Sequence, residues 1–195
     1  MPSEDAVRWN SRYLEDVRNE FDPPRALLVD HLKIIPTSGL ALDIAMGLGS
    51  NANFLINHGL SVIGVDISMV ALRKVKRKLP NLMAVVADLS RFHIPPERFD
   101  VIISFLYLQR DLWLPMTQGL KIGGIMFIEC LTEEMLSIHA EIDPVFLLKS
   151  GELQQAIFSG EPGRYLECCY YEEGWQSTVK SKSRAVASLI AQRVS

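Results

Sequence analysis

One stretch constrains this chain more than any other: Ala41-Leu42-Asp43-Ile44-Ala45-Met46-Gly47-Leu48-Gly49-Ser50-Asn51-Ala52. A short apolar run meets an acid, passes through a glycine-rich bend and opens a helix-like segment. Glycine at 47 and 49 permits a sharp turn and lets a ligand approach the main chain. The N–H groups that open the next helix lack intrahelical partners and point at such a ligand. This is the pattern of a nucleotide-cofactor loop. Taken alone it also fits a dinucleotide fingerprint, Gly-x-Gly-x-x-Ala with an acid near position 66.

A chain of 195 residues is most simply one domain with a proper core. No segment is long and apolar enough to span a membrane. Met1 to Asp5 has no basic region leading into an apolar run, so no secretory signal is expected there. The cysteines are Cys130, Cys168 and Cys169. Their odd number and the lack of a Cys-x-x-Cys pair argue against a disulfide framework or a cysteine zinc site, and fit a reducing cytoplasm. The net charge of −3 argues against nucleic acid as the main partner.

Periodicity predicts an amphipathic helix from Asp5 to Glu20, with Ala6, Trp9, Tyr13 and Val17 on its inner face. Asp22-Pro23-Pro24 is a stop and restart, with Asp22 able to cap a second helix over Arg25 to Leu32. Strands then alternate with helices. Leu40 to Ala45 is a strand, followed by a helix from Asn51 to His58. Ser61 to Val65 is a strand that ends at Asp66, and Ser68 caps a helix to about Leu79. Leu82 to Ala87 is a strand that ends at Asp88. Phe99 to Phe105 is a further strand, Leu112 to Leu120 a helix, Gly123-Gly124 a turn and Ile125 to Cys130 a strand. Continuous apolar strands between helices imply a parallel sheet covered on both faces. Arg164 to Glu172 and Arg184 to Gln192 read as an edge hairpin joined through Gly174 and polar residues.

In an open parallel sheet the ligand sits beyond the carboxyl ends of the strands. Asp43, Asp66 and Asp88 stand at or near three such ends. Asp66 lies one helix and one strand after Gly49, the distance that sets a carboxylate against ribose hydroxyls. As an acceptor-only group it can take both protons of a diol. Asp88 could accept from an adenine amino group, with Ile67 and Leu89 sandwiching the ring. Asp43 lies too early for the sugar and would anchor the loop or neutralise an ammonium group. Acids around the loop would repel a pyrophosphate. They match S-adenosylmethionine, which carries a sulfonium, an ammonium, a diol and an adenine.

These residues resemble the motifs of class I S-adenosylmethionine-dependent methyltransferases. Asp43 to Gly49 is similar to their first motif, with Ala45 where a glycine is usual and where the ligand would meet only backbone. Asp66 matches the acid that ends their second strand, and Asp88-Leu89 the acidic motif after the third. Phe99-Asp100-Val101-Ile102-Ile103 resembles the start of their fourth strand, and Leu120-Lys121-Ile122-Gly123-Gly124 the turn into their fifth. The resemblance covers roughly residues 40 to 130. It implies a Rossmann-like α/β fold: a seven-stranded, mostly parallel sheet with an antiparallel C-terminal edge strand and helices on both faces. The chain then divides into a helical cap (1–36), a cofactor-binding half (37–130) and a C-terminal half with the edge hairpin (131–195). The cofactor implied is S-adenosylmethionine, bound by Asp43, Ala45, Gly47, Gly49, Asp66, Ile67, Asp88, Leu89 and Ser104.

A narrower likeness is to the tellurite-resistance and thiopurine-methyltransferase-like branch, carried by Trp9-Asn10-Ser11-Arg12-Tyr13 and by Phe146 to Leu153. It implies that Trp9, Arg12 and Tyr13 fold over the cofactor and that the acceptor is a small molecule. The loop after the fourth strand, Ser104 to Trp113, lacks the Asn/Asp-Pro-Pro-Tyr/Phe motif of amino-group methylation. Tyr107, Arg110 and Trp113 are its acceptor-site candidates, against a plain reading in which Trp113 packs under a helix and Arg110 is solvated. Methyl transfer is an in-line displacement governed by alignment. A general base is needed only where the acceptor must lose a proton, so no catalytic residue is singled out.

The basic run Arg73 to Lys78 reads as a solvated helix face. His31, His58, His93 and His139 lack metal-ligand spacing, and no metal is expected. Cys168 and Cys169 would point to opposite faces of a strand. The expected partner is a small-molecule methyl acceptor, with no nucleic acid and no membrane, for a monomer or homodimer. Two alternatives stand beside this reading: a nicotinamide-dependent oxidoreductase of Rossmann type and a non-catalytic S-adenosylmethionine-binding module.

Overall fold

The computed structural model describes residues 3–17, 20–177 and 183–195. The chain forms two compact units, Met1–His93 and Ile94–Ser195. Its strands, β1 (Leu40–Ile44), β2 (Ser61–Asp66), β3 (Met83–Val86), β4 (Phe99–Phe105), β5 (Leu120–Leu131), β6 (Leu166–Ser177) and β7 (Ser183–Arg193), form one seven-stranded sheet in the order β3-β2-β1-β4-β5-β7-β6. Among the described residues no helix is long and apolar enough to cross a membrane.

In the first unit, α1 spans Glu4–Leu14. Ser3 caps it and Glu4 and Asp5 sit in its first turn, where carboxylates suit the helix dipole. The expected extension to Glu20 does not form, although residues 18 and 19 of that span lie outside the described residues. Val17 is 87% exposed, so a longer helix would bury nothing to offset its ordering. The second helix, α2, covers only Ala26–Asp30. Arg25 rather than Asp22 stands at its N-cap, and the Arg25 N–H is held by Asn51 Oδ1 at 2.9 Å. A 3₁₀ turn follows at Leu32–Ile34.

β1 (Leu40–Ile44) pairs in parallel with β2 (Ser61–Asp66), and β2 with β3 (Met83–Val86). Between them run α3 (Ser50–Asn57) and α4 (Met69–Lys78). β1 and β2 are buried along most of their length, while β3 is only partly covered. Ser68 caps α4 as expected: its Oγ accepts the Ala71 N–H at 3.1 Å.

In the second unit, β4 (Phe99–Phe105) pairs in parallel with β5 (Leu120–Leu131). A 3₁₀ turn, Arg110–Leu112, leads into α5, Trp113–Gly119. The Gly123-Gly124 turn lies inside β5 as an irregularity: Phe99 pairs with Leu120, but Val101 pairs with Ile125. β7 (Ser183–Arg193) runs antiparallel to β5, and β6 (Leu166–Ser177) lies outside it as the edge. Gly174 is not the hairpin turn; it sits within β6 opposite Val186. The residues that join the two strands, 178–182, lie outside the described residues. A bulge between Cys168 and Tyr170 interrupts the alternation expected at the adjacent cysteines, which are both free and exposed.

Candidate functional site

The glycine-rich loop leaves β1 and turns on three residues with positive φ: Ala45 (+53°), Gly47 (+57°) and Gly49 (+76°). Ala45 explains itself by contrast. A residue with a Cβ held there costs about 1–2 kcal/mol, which is why glycine suits this position. The loop is pinned by backbone hydrogen bonds. Met46 N–H donates to Val65 O (3.0 Å), and Gly49 N–H to Met46 O (3.2 Å).

The room left by the two glycines is taken up by protein. A Cβ on Gly47 would lie 2.8 Å from the Tyr13 hydroxyl. A Cβ on Gly49 would lie 2.8 Å from Val75 Cγ1 of α4. Gly49 therefore serves helix packing. Sequence reasoning did not single out Val75 for this, because only the fold brings α4 against the loop.

Asp66 closes β2 and is buried. Its Oδ2 accepts the Gly47 N–H at 2.8 Å and its Oδ1 the Ser68 N–H at 2.8 Å. One carboxylate thus ties the loop to the start of α4. Burial raises its pKa, partly countered by those two N–H groups. Asp43 lies beneath the loop, fully enclosed. The Ala52 N–H of α3 bonds to it, while its Oδ2 has no partner. Burial first, then the charge of Asp66, holds the Asp43 carboxyl well above its usual range. Asp88 differs from both. It lies two residues past β3, and its Oδ1 accepts from the Ser90 hydroxyl (2.7 Å) and N–H (3.0 Å). Those bonds lower its pKa. Leu89 is buried and Ile67 half-buried.

Trp9, Arg12 and Tyr13 all lie on α1. Trp9 and Tyr13 stack with centroids 5.6 Å apart, and the Arg12 guanidinium lies 5.0 Å from the Trp9 ring centre. Burial, then the negative charge of Asp66, raises the Tyr13 pKa. Two further residues hold α1 in place. Asn10 Oδ1 accepts from Ser68 Oγ (2.8 Å) and the Val70 N–H (3.1 Å), so it caps α4 beside Ser68. Lys74 Nζ donates to the carbonyls of Tyr13 and Asp16, both at 2.5 Å. No local pattern around Asn10 encodes these bonds, since its partners lie 58 and 60 positions away.

The second unit carries the loop after β4. Ser104 is buried within β4, opposite Ile128. Leu106 has φ +57° and its N–H donates to Glu129 O at 2.7 Å. A bulky residue in this region is strained. Tyr107 OH donates to Gln109 Oε1 at 2.6 Å, and the Tyr107 carbonyl accepts from the buried Cys130 thiol. Burial pushes that thiol up to about 12. Arg110 stays partly exposed, with 42% of its side chain open to solvent, but its guanidinium is engaged by protein. It forms a two-pronged pair with Glu152 and donates to Val145 O and Leu147 O, both at 3.1 Å. Trp113 is 7% exposed and opens α5, as the packing reading expects. β5 also buries Glu129, within 3.4 Å of Ser188 Oγ, an acid hidden in a run read as apolar.

A glycine-rich loop after β1, an acid closing β2 and two antiparallel strands ending an otherwise parallel sheet are the features of a Rossmann-like α/β fold. Residues 41–121 match the family described as "Methyltransferase domain". Trans-aconitate 2-methyltransferase of Rhodopseudomonas palustris (strain BisB5) is 26% identical over 132 residues, covering 62% of this chain. The chain spans about half (49%) of the length of that curated relative. The structure of TehB from Haemophilus influenzae is similar with a TM-score of 0.68 at 18% identity, over 96% of this chain and 66% of the other. Geranyl diphosphate C-methyltransferase from Streptomyces coelicolor A3(2), solved with Mg2+, geranyl diphosphate and S-adenosyl-L-homocysteine, is similar over 100% of both chains. Its TM-score is 0.67 at 13% identity.

Proposed function

We propose that this chain works as a single S-adenosylmethionine-dependent methyltransferase domain that modifies a small-molecule acceptor in the cytoplasm, as a monomer or homodimer. The observation that carries the reading is the loop pinned on Asp66, with a second acid beneath it. Each Asp66 oxygen accepts one N–H and keeps a second lone pair. The carboxylate can therefore still take both protons of a ribose diol. Asp66 gives the region beside the loop an acidic character, with the buried Asp43 carboxyl beneath it. That suits a cationic ligand and opposes a pyrophosphate.

S-adenosylmethionine, when bound, supplies an electrophilic methyl group on a sulfonium. The residues of this chain do the rest by binding and positioning. Ala45, Gly47 and Gly49 offer main chain to the methionine end. Ile67, Asp88 and Leu89 serve the adenine, and Ser104 completes the cofactor set. Trp9, Arg12 and Tyr13 cover the loop and exclude water, held down by Asn10 and Lys74. Tyr107 touches the acceptor, while Arg110 and Trp113 act by shaping the loop. Alignment and exclusion of water can supply about 7–11 kcal/mol of barrier lowering.

Calorimetry with S-adenosylhomocysteine should show micromolar binding that is weakened at least tenfold in Asp66→Ala. Absence of binding to the unmodified chain, together with saturable NADH binding, would replace this reading with an oxidoreductase. Turnover of S-adenosylmethionine should then be assayed on carboxylates, thiols, oxyanions and small phenols. Carboxylates come first because the curated relative is a trans-aconitate methyltransferase. Binding without turnover on any of them would favour a non-catalytic module.

A further inference from the structure

The strand β3 closes one end of the sheet and, among the described residues, pairs only with β2. Its sequence is Met83-Ala84-Val85-Val86. It carries no charge, no proline and no bulge, the devices that ordinarily keep an edge strand from pairing with another chain. Met83 and Val86 are 43% and 44% exposed. The opposite edge is guarded: β6 has a bulge after Cys168 and exposes Glu167 and Glu172.

The bare edge borders a groove of about 280 Å³ between β3 and α4. Its apolar lining is Met69, Leu72, Ala84 and Val86. Its cationic lining is Arg73, Lys76 and Arg77, spaced to share one helix face. Lys76 Nζ is fixed beside the start of β3 by bonds to Pro80 O (2.5 Å) and Leu82 O (2.8 Å). Cations in the last turn complement the helix dipole, but Arg73 lies in the middle of α4, where that reason does not apply.

We infer that this groove and edge dock an extended acidic segment of a partner protein, added as a further strand beside β3. Main-chain groups of the segment pair with the outer row of β3. Its alternate apolar side chains enter the groove, and its carboxylates meet Arg73 and Arg77. A flat lipid surface would leave both the groove and the strand amides unfilled. A second copy docked edge to edge would bring two cationic walls together, which like charges oppose. The surface is distinct from the glycine loop and does not depend on the methyltransferase reading.

The test pans a library of random dodecapeptides displayed on phage against the full chain. Recovered peptides should alternate apolar residues with Asp or Glu. Their affinity should fall as salt rises and drop at least tenfold in the double variant Arg73→Glu, Arg77→Glu. Val86→Lys, which guards the edge with a charge, should give a similar loss. Binding should also slow amide exchange at Met83 to Val86. Unchanged S-adenosylhomocysteine binding, or an unchanged melting temperature, controls for folding of both variants. The inference is overturned if no peptide is enriched, if binding survives both variants, or if β3 amides gain no protection. It is equally overturned if the same variants abolish self-association in sedimentation, or pelleting with phosphatidylserine vesicles, while no acidic peptide binds.

Discussion

Replacing Gly49 by alanine should destabilise the fold even with no ligand present, and the size of the effect follows from two terms. Gly49 sits at φ +76°, ψ +20°. An L-residue there costs about 1–2 kcal/mol, reduced by roughly 0.4–1 kcal/mol because alanine also restricts the unfolded chain. The new Cβ would stand 2.8 Å from Val75 Cγ1 and 3.2 Å from Cγ2. Carbon atoms pack best at about 3.5–4.0 Å, and overpacking of this kind costs about 1–3 kcal/mol. The sum, about 1–4.5 kcal/mol, is a large share of a total stability of about 5–15 kcal/mol. Val75→Ala removes both contacted carbons. Alone it should cost about 2 kcal/mol for two buried methyl groups and the space they leave. In the double variant only the backbone term of Gly49→Ala remains, so the cycle should show a favourable coupling of about 1–3 kcal/mol. Urea unfolding of the four proteins measures it. A coupling within about 0.5 kcal/mol of zero, the scatter expected of independent sites, would refute the packing role. A Gly49→Ala protein of unchanged stability that only loses cofactor affinity would refute it too.

The other left-handed residues behave differently. Ala45→Gly relieves a φ of +53° and should change stability by between zero and about +1 kcal/mol, since glycine also frees the unfolded chain. Leu106→Gly sets the relief of a φ of +57° against the loss of a side chain that is only 38% exposed, so the urea midpoint should change little, while turnover should fall as proposed for the loop after β4. Asp43→Asn should change the pH profile. The carboxyl of Asp43 is raised in the fold, so its favourable contribution is present below an unfolded pKa of about 3.9 and lost as pH rises through the folded value. The variant keeps an oxygen for the Ala52 N–H and should gain melting temperature over the parent as pH rises towards neutrality; parallel profiles would refute this. Arg110→Ala should leave global stability within about 1 kcal/mol, as expected of a partly exposed pair. It should speed amide exchange at Leu147 and Leu148, because the carbonyl anchors of that segment are gone.

Much of the fold was legible because its signals are local. Apolar runs marked β1, β2 and β4 within a residue or so of where they form, and Ser68 announced α4. Where local reading failed, the cause was missing tertiary support. The tail of α1 finds no surface to cover, since Val17 stays exposed. Gly174 looked like a turn but is a strand residue, because pairing with Val186 decides its conformation. The acids at the strand ends were legible as a set. Their separate states were not: Asp43 is enclosed, Asp66 is enclosed but bonded at both oxygens, and Asp88 is largely open and held by Ser90.

The sequence by itself therefore marked the glycine-rich loop, the succession of strands and helices along the chain and the acids at or near three strand ends, since each is written in neighbouring residues and their periods. The tertiary structure alone decided what fills the space above the glycines, what ties α1 down and what Arg110 holds. Each of those depends on chain segments brought together from far apart: Tyr13 over Gly47, Asn10 on Ser68, Glu152 on Arg110. Hydrogen bonds and close packing act over a few ångströms in space. No pattern of neighbouring residues encodes which distant partner will stand within that range.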